Sequence, residues 1–239
     1  MNSSRVSESS PAGSQTLSRG LRALELLADT EAPMTIAELA DGLGVHRSNA
    51  YRILRALEQY RFVVRDDAGR IRLGPKIAAL AHGVAPALHT AATPAITELA
   101  YSQGMTAFLT VLDADEVVTL VTVEPSNVSA TIARNPGVRH PVAKGAPGHA
   151  IESILTDAER RTYLGTSEPS KLAIEAKELG YALSQNEVID GVTSLAIPLR
   201  IAGEPPAALA VVHFNIPENV GSVVAGLRTA AEKIVRSYH

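Results

Sequence analysis

The sequence predicts an α+β protein of two unequal units: a small winged helix-turn-helix first, then a linker helix, then a larger unit with an antiparallel sheet. Three observations predict it. Apolar residues recur at helical spacing up to about Tyr60 and then give way to two short strand-like runs. A stretch of small apolar residues follows. Beyond it, β-rich runs joined by short turns are interleaved with helical segments, a pattern of helices packed on an antiparallel sheet.

Residues 1–14 are polar, lack the apolar core of a signal peptide and read as a disordered tail. Leu17, Leu21, Leu24 and Ala28 then trace one face of a first helix. Thr35 with Glu38 three residues on is a capping box, and Ile36, Leu39, Ala40 and Leu43 carry the second helix to Gly42 and Gly44. The third helix runs from about His46 to Tyr60, with Ala50, Ile53, Leu54 and Leu57 on its buried side. At 100° per residue, Ser48, Tyr51, Arg52, Arg55 and Gln59 fall opposite. "FVV" and "RIRL" around the turn "DDAG" then make a hairpin, the wing.

Residues 15–76 are thus expected to form the first unit and 77–91 a linker helix, with a kink allowed at Pro86. The larger unit is expected over 92–239. It opens with a helix capped by Thr93 with Pro94 at its first position. "TAFLTVL" and "EVVTLVTVE" read as a hairpin, "SLAIPLR" and "AALAVVHF" as two more strands. "GHAIESILTDAERRTYL", "SKLAIEAKELG" and the C-terminal segment read as helices.

The chain of 239 residues carries a formal net charge of −3, which by itself says nothing for nucleic acid. Locally the balance is different. From Val45 to Lys76 there are eight basic residues against three acidic. His46, Arg47, Ser48 and Asn49 open the third helix, where a helix-turn-helix presents groups to base edges in the major groove. Arginine grips guanine and asparagine grips adenine through paired hydrogen bonds. Tyr51, Arg52 and Arg55 continue the outer face, Thr35 stands at the start of the preceding helix, and Arg70 and Arg72 near the wing tip suit phosphate contacts. Double-stranded DNA is the expected partner.

Other classes fit poorly. The seven histidines form no metal-ligand cluster, "GVTSLAIPL" lacks a nucleophile elbow, and "GAPGHA" is not a phosphate-binding loop, so neither catalysis nor a cofactor is expected. Cysteine is absent, and no apolar run reaches the length needed to span a membrane. A cytoplasmic protein without membrane partners is the expectation.

These residues are similar to a known family. "SRGLRALELL" and "TIAELADGLGVHRSNAYRILRALEQYRFVVRDDAGRIRLGPKI" resemble the DNA-binding domain of the IclR-type bacterial transcription regulators. "GVRHPVAKGAPGHAIES" and "LGYALSQNEVIDGVTSLAIPL" resemble two segments of that family's second domain. The resemblance implies a GAF-like effector-binding domain and a dimer or tetramer built on the N-terminal domains. It also implies a regulator, more often a repressor, of a catabolic operon, whose operator affinity responds to a small organic or aromatic acid.

Carried across residue by residue, the effector positions are Val128, Thr131 and Arg139 on one side, Gly145 and Ala146 at the loop, and Ser184, Val192 and Ser194 in the later segment. Ser184 and Ser194 stand where family members that bind a very small keto acid carry a carboxylate and a thiol. Physically, a loop with Gly145 and Gly148 can aim N–H groups at a carboxylate, with Arg139 or Lys144 as countercharge and Phe108, Val128 and Val192 as apolar wall. A hydroxylated aromatic acid or a related amide suits such a site. The alternative is a larger unit that only oligomerises and senses nothing.

Overall fold

The computed structural model describes residues 14–30, 32–126, 128, 131–133, 135–215 and 219–238. The expected tail therefore lies outside the described residues except for Ser14, whose hydroxyl caps the first helix. Two compact units are present, one ending at Val84 and the other beginning at Ala85.

The first unit holds α1 (Gln15–Ala28), α2 (Ile36–Gly42), α3 (Arg47–Gln59), β1 (Val63–Arg65), β2 (Ile71–Leu73) and α4 (Lys76–Ala81). Ala23, Leu27, Leu39, Ile53, Leu54, Val63 and Ile71 form its core, so α2 and α3 bury the side that the spacing predicts. In α1 the buried side is instead Gly20, Ala23 and Leu27, and the expected stripe of Leu17, Leu21 and Ala28 is exposed, because α2, α3 and the wing pack on the neighbouring face. The Thr35–Glu38 capping box is formed in both directions. Gly44, at φ +61°, makes the turn into α3 in a conformation that costs glycine little. β1 and β2 pair antiparallel with Val64 opposite Arg72. An isolated bridge from Met34 to Ile71 ties the wing to the segment before α2.

The single linker helix expected over 77–91 is instead two helices. After α4 the chain passes through Ala85 in the left-handed region, and α5 (Pro86–Gln103) begins there and continues straight through Pro94. The second unit accordingly starts at Ala85 rather than 92. Thr93 is no cap: it lies inside the helix, its hydroxyl donating to the His89 carbonyl at 2.7 Å. An internal proline removes one backbone donor and costs about 3 kcal/mol. Seven buried residues of α5, from Leu88 to Ala100, give the helix its compensation in packing.

The second unit continues with β3 (Thr106–Asp113), β4 (Glu116–Val123), β5 (Arg139–Pro141), α6 (Gly145–Ser153), α7 (Asp157–Leu164), α8 (Lys171–Leu179), β6 (Ala182–Gln185), β7 (Thr193–Leu199), β8 (Ala207–His213) and α9 (Val220–Ser237). The strands form one antiparallel sheet in the order β5-β4-β3-β8-β7-β6. Its two faces follow the period of two. Ala107, Leu109 and Val111 pack with α5 and α9, whereas Phe108 and Leu112 pack with α6 and α8. With helices on both faces, the central strand β8 is buried on both sides, which is why "AALAVV" shows no polar alternation. The helical stretch read from "GHAIESILTDAERRTYL" divides at Thr156, whose own capping box with Glu159 starts α7. A bond from Arg200, reinforced by the Thr156 backbone N–H, brings the Glu159 carboxyl down to about 2.

Candidate functional site

In the first unit the amphipathic packing of α3 decides which polar residues are free. Ala50, Ile53 and Leu54 are buried, so Arg47, Ser48, Tyr51 and Arg55 face solvent. Thr35, Arg47, Ser48, Tyr51 and Arg70 line one open cleft between the starts of α2 and α3 and the wing turn. The Arg65 guanidinium, ion-paired with Glu58, lies 5.5 Å from the centre of the Tyr51 ring and holds that ring against the wing.

Several predicted contact residues have structural work in this unit. The His46 Nδ1 accepts from the Ser48 backbone at 3.4 Å and lies 3.0 Å from its hydroxyl, so His46 caps α3 and the Ser48 side chain is held against it. Thr35 spends its hydroxyl on Glu38 at 2.9 Å. Arg70 pairs with Asp66 at 2.9 Å, and the Arg70 backbone N–H, more than its guanidinium, holds the Asp66 carboxyl below the usual value. Among the described residues no carboxylate pairs with Arg47, Arg52, Arg55 or Arg72. Four guanidinium groups without a carboxylate partner, three on α3 and one on the wing, suit a polyanion.

Asn49 and Arg52, both exposed, lie on the side of this face next to α1. They border an apolar groove of about 710 Å³ formed by Leu17, Leu21 and Leu24 of α1, Phe62, and Ile77 and Leu80. Leu17, Leu21 and Leu80 are each more than half exposed. Helical spacing puts Arg52 with Arg55 on the outer face and both are exposed; the position of α1 adds a groove beside Arg52.

In the second unit a cavity lies between α6, the β6–β7 edge of the sheet and the connecting segment 186–192. Of the expected effector-site residues, Phe108, Gly145, Ser184, Val192 and Ser194 line it. Ser184 and Ser194 stand opposite each other in the β6–β7 pair, and the Ser194 hydroxyl donates to the Val211 carbonyl at 3.1 Å. Ala146 lies behind the lining and contributes its backbone N–H, which donates to the Ser184 hydroxyl at 2.8 Å. About 20 Å³ of open volume remains, room for roughly one water molecule.

Three predicted residues are not brought to this cavity. Val128 packs towards Gly104, and the Thr131 hydroxyl reaches Glu124 at 3.5 Å. Arg139 points outward on β5 and pairs with Asp113 and with Glu116, the latter at 2.8 Å; the Glu116 bond, then that of Asp113, raises its guanidinium above the usual value. The residues that do line the cavity are their neighbours, Ile132 and His140. A strand turns successive side chains to opposite faces, so an offset of one residue reverses the assignment. The burial pattern of β5, with His140 alone turned in, is the signal that locates it.

Glu187 is a lining residue that the sequence reading missed. One of its oxygens accepts from the Gly145 backbone N–H and lies against His149 Nε2, both at 2.8 Å. His149 is 2% exposed, and its Nδ1 finds no partner among the described residues. Its ring is therefore placed to give one proton, through Nε2, to Glu187.

Comparison with known proteins follows this division into two units. A family model for the IclR helix-turn-helix domain matches residues 16–67, and one for the C-terminal region of the bacterial transcriptional regulator IclR matches 85–236. A glycerol operon regulatory protein of Streptomyces griseus is 30% identical, covering 78% of this chain and 79% of its own. The crystal structure of an IclR transcriptional regulator from Alicyclobacillus acidocaldarius matches with a TM-score of 0.80 at 25% identity, over 95% of this chain and 100% of that one. An IclR homolog from Microbacterium hydrocarbonoxydans, complexed with 4-hydroxybenzoate, shares the fold with a TM-score of 0.79 at 23% identity, over 93% and 98% of the two chains.

Proposed function

This chain belongs to the IclR family of bacterial DNA-binding transcriptional regulators, and we propose that it is a repressor of a catabolic operon whose hold on its operator is set by a small ligand in the second unit. It is a regulator and not an enzyme. The observation that carries the reading is the exposed face of α3, where Arg47 and Arg55 pair with no carboxylate among the described residues while the other side of the helix is buried. Arg47, Ser48, Tyr51 and Arg55 would meet base edges, and Arg70 and Arg72 the phosphates. No described helix is long and apolar enough to cross a membrane, consistent with a cytoplasmic regulator. Footprinting on the promoter region next to its gene tests the reading; protection no better than on random DNA would remove it.

Arg72 is exposed on the wing and pairs with no carboxylate among the described residues. If it meets only phosphate, Arg72→Ala will weaken specific and random DNA alike and lower the slope of log affinity against log salt by about 1. A loss confined to operator DNA would assign it to base readout instead.

The apolar groove between α1 and α4 supports a homo-oligomer, with a second copy covering Leu17, Leu21 and Leu80. Leu21→Asp should lower the sedimenting mass and, with it, operator affinity. An unchanged mass would place the interface elsewhere.

The ligand that the sequence suggests is a hydroxylated aromatic acid or a related amide, and 4-hydroxybenzoate bound to the Microbacterium homolog makes that pair of compounds the natural probes. The narrow cavity favours a second reading, in which this unit only oligomerises. A thermal-shift panel of aromatic and keto acids with their amides separates the two: no stabilisation by any compound, with operator binding intact, supports oligomerisation alone.

A further inference from the structure

Resting on the reading of this cavity as a ligand site, we infer that Glu187 decides the charge of the ligand: the site takes an uncharged amide or hydroxyl head and turns away the matching carboxylate. A carboxylate bound at the start of α6 needs the N–H groups that converge there. The chain's own acceptors hold them already. Gly145 N–H and His149 Nε2 are on Glu187, each at 2.8 Å, and Ala146 N–H is on Ser184 at 2.8 Å. A ligand acid would therefore stand beside a like charge.

Neither a guanidinium nor an ammonium group offsets that repulsion, and the His149 ring beside Glu187 is already bonded to it. Among the described residues lining the cavity there is neither lysine nor arginine, and the guanidinium expected to serve, that of Arg139, is outside on Asp113 and Glu116. A second carboxylate brought within a few ångströms of a half-buried first one is disfavoured.

What the site still offers matches a neutral head. Both bonds on Glu187 fall on one oxygen, leaving the other to accept a ligand N–H or O–H. The Ser184 hydroxyl accepts from Ala146 and keeps its own proton to give to a ligand carbonyl. An amide satisfies both. With about 20 Å³ open, the rest of the ligand requires Val188 and Ile189, 40% and 43% exposed, to turn outward, while Glu187 is held by its two bonds.

The test is calorimetry of the full chain and of Glu187→Gln with matched pairs: acetamide and acetate, benzamide and benzoate, 4-hydroxybenzamide and 4-hydroxybenzoate. Glutamine keeps an acceptor for Gly145 and His149 without the charge, and operator binding verifies that the variant is folded. The wild type should bind the amide of a pair at least about tenfold more tightly than its acid, and Glu187→Gln should bring that ratio close to one. An acid bound as tightly as its amide by the wild type, or a ratio unchanged by Glu187→Gln, would overturn the role given to Glu187. Failure of every compound on both proteins, with operator binding intact, would instead overturn the ligand-site reading on which it rests.

Discussion

Gly148→Ala will destabilise the second unit by about 3 kcal/mol or more, because the added methyl has no place to go. A Cβ built on Gly148 lies 2.0 Å from the Val142 carbonyl oxygen and 2.8 Å from its carbon. Backbone, unlike the end of a flexible side chain, does not step aside cheaply. Val142 is itself fixed, buried at 4% exposure and bonded through its N–H to Asp115 at 3.0 Å. Relief would have to come from shifting the start of α6, which carries the donors to Glu187 and Ser184. The variant should therefore lose stability and disturb the cavity together. Denaturant titration checks the first, with the midpoint falling and the slope unchanged if only stability is affected. A midpoint equal to that of the wild type would show that the β5–α6 connection has slack that its hydrogen bonds do not suggest.

Arg47→Ala is expected to weaken operator binding by about 1 to 3 kcal/mol, roughly five- to 150-fold, with much less effect on random DNA. Arg47 is the first residue of α3, lines the cleft beside the wing and pairs with no carboxylate among the described residues. Its charge needs no release from a partner before it meets DNA. Arg52 is a built-in contrast. Its side chain borders the groove against α1, so Arg52→Ala should cost less at the operator than Arg47→Ala. Gel-shift titration of the two variants on operator and random DNA measures both; equal losses would mean that α3 meets DNA on a broader face than its packing suggests.

The first unit was readable because its signals are local. A capping box, a glycine turn and apolar residues at helical spacing act within about four residues of one another, and α2 and α3 keep all three; α1 forms as a helix but buries a neighbouring face. The second unit was legible as an α+β sheet for the same reason, since hairpin turns and strand-forming runs are also local. Where distant residues compete, the reading from sequence went astray. Pro94 looks like a helix start until the burial of Leu88 to Ala100 outweighs its missing donor.

The candidate sites divide in the same way. That α3 would be polar and basic on one side is written in its spacing; that Arg52 also borders a groove depends on where α1 lies. Ser184, Ser194 and Gly145 reach the cavity as their motifs suggest, but Arg139 does not, because in a strand the choice of face turns on a single residue. Glu187 carries no signal in its own surroundings. Its role exists because β6 sets the following segment against α6, bringing its carboxylate to Gly145 and His149, some 40 residues earlier in the chain. Periodicity, capping and composition determined the elements, the two units and the basic face, all through contacts between near neighbours. Which charges are paired, which side chains enter the cavity and which acceptor holds its donors were decided only by tertiary packing, because those partners are distant in sequence and meet only when the sheet and its helices close on one another.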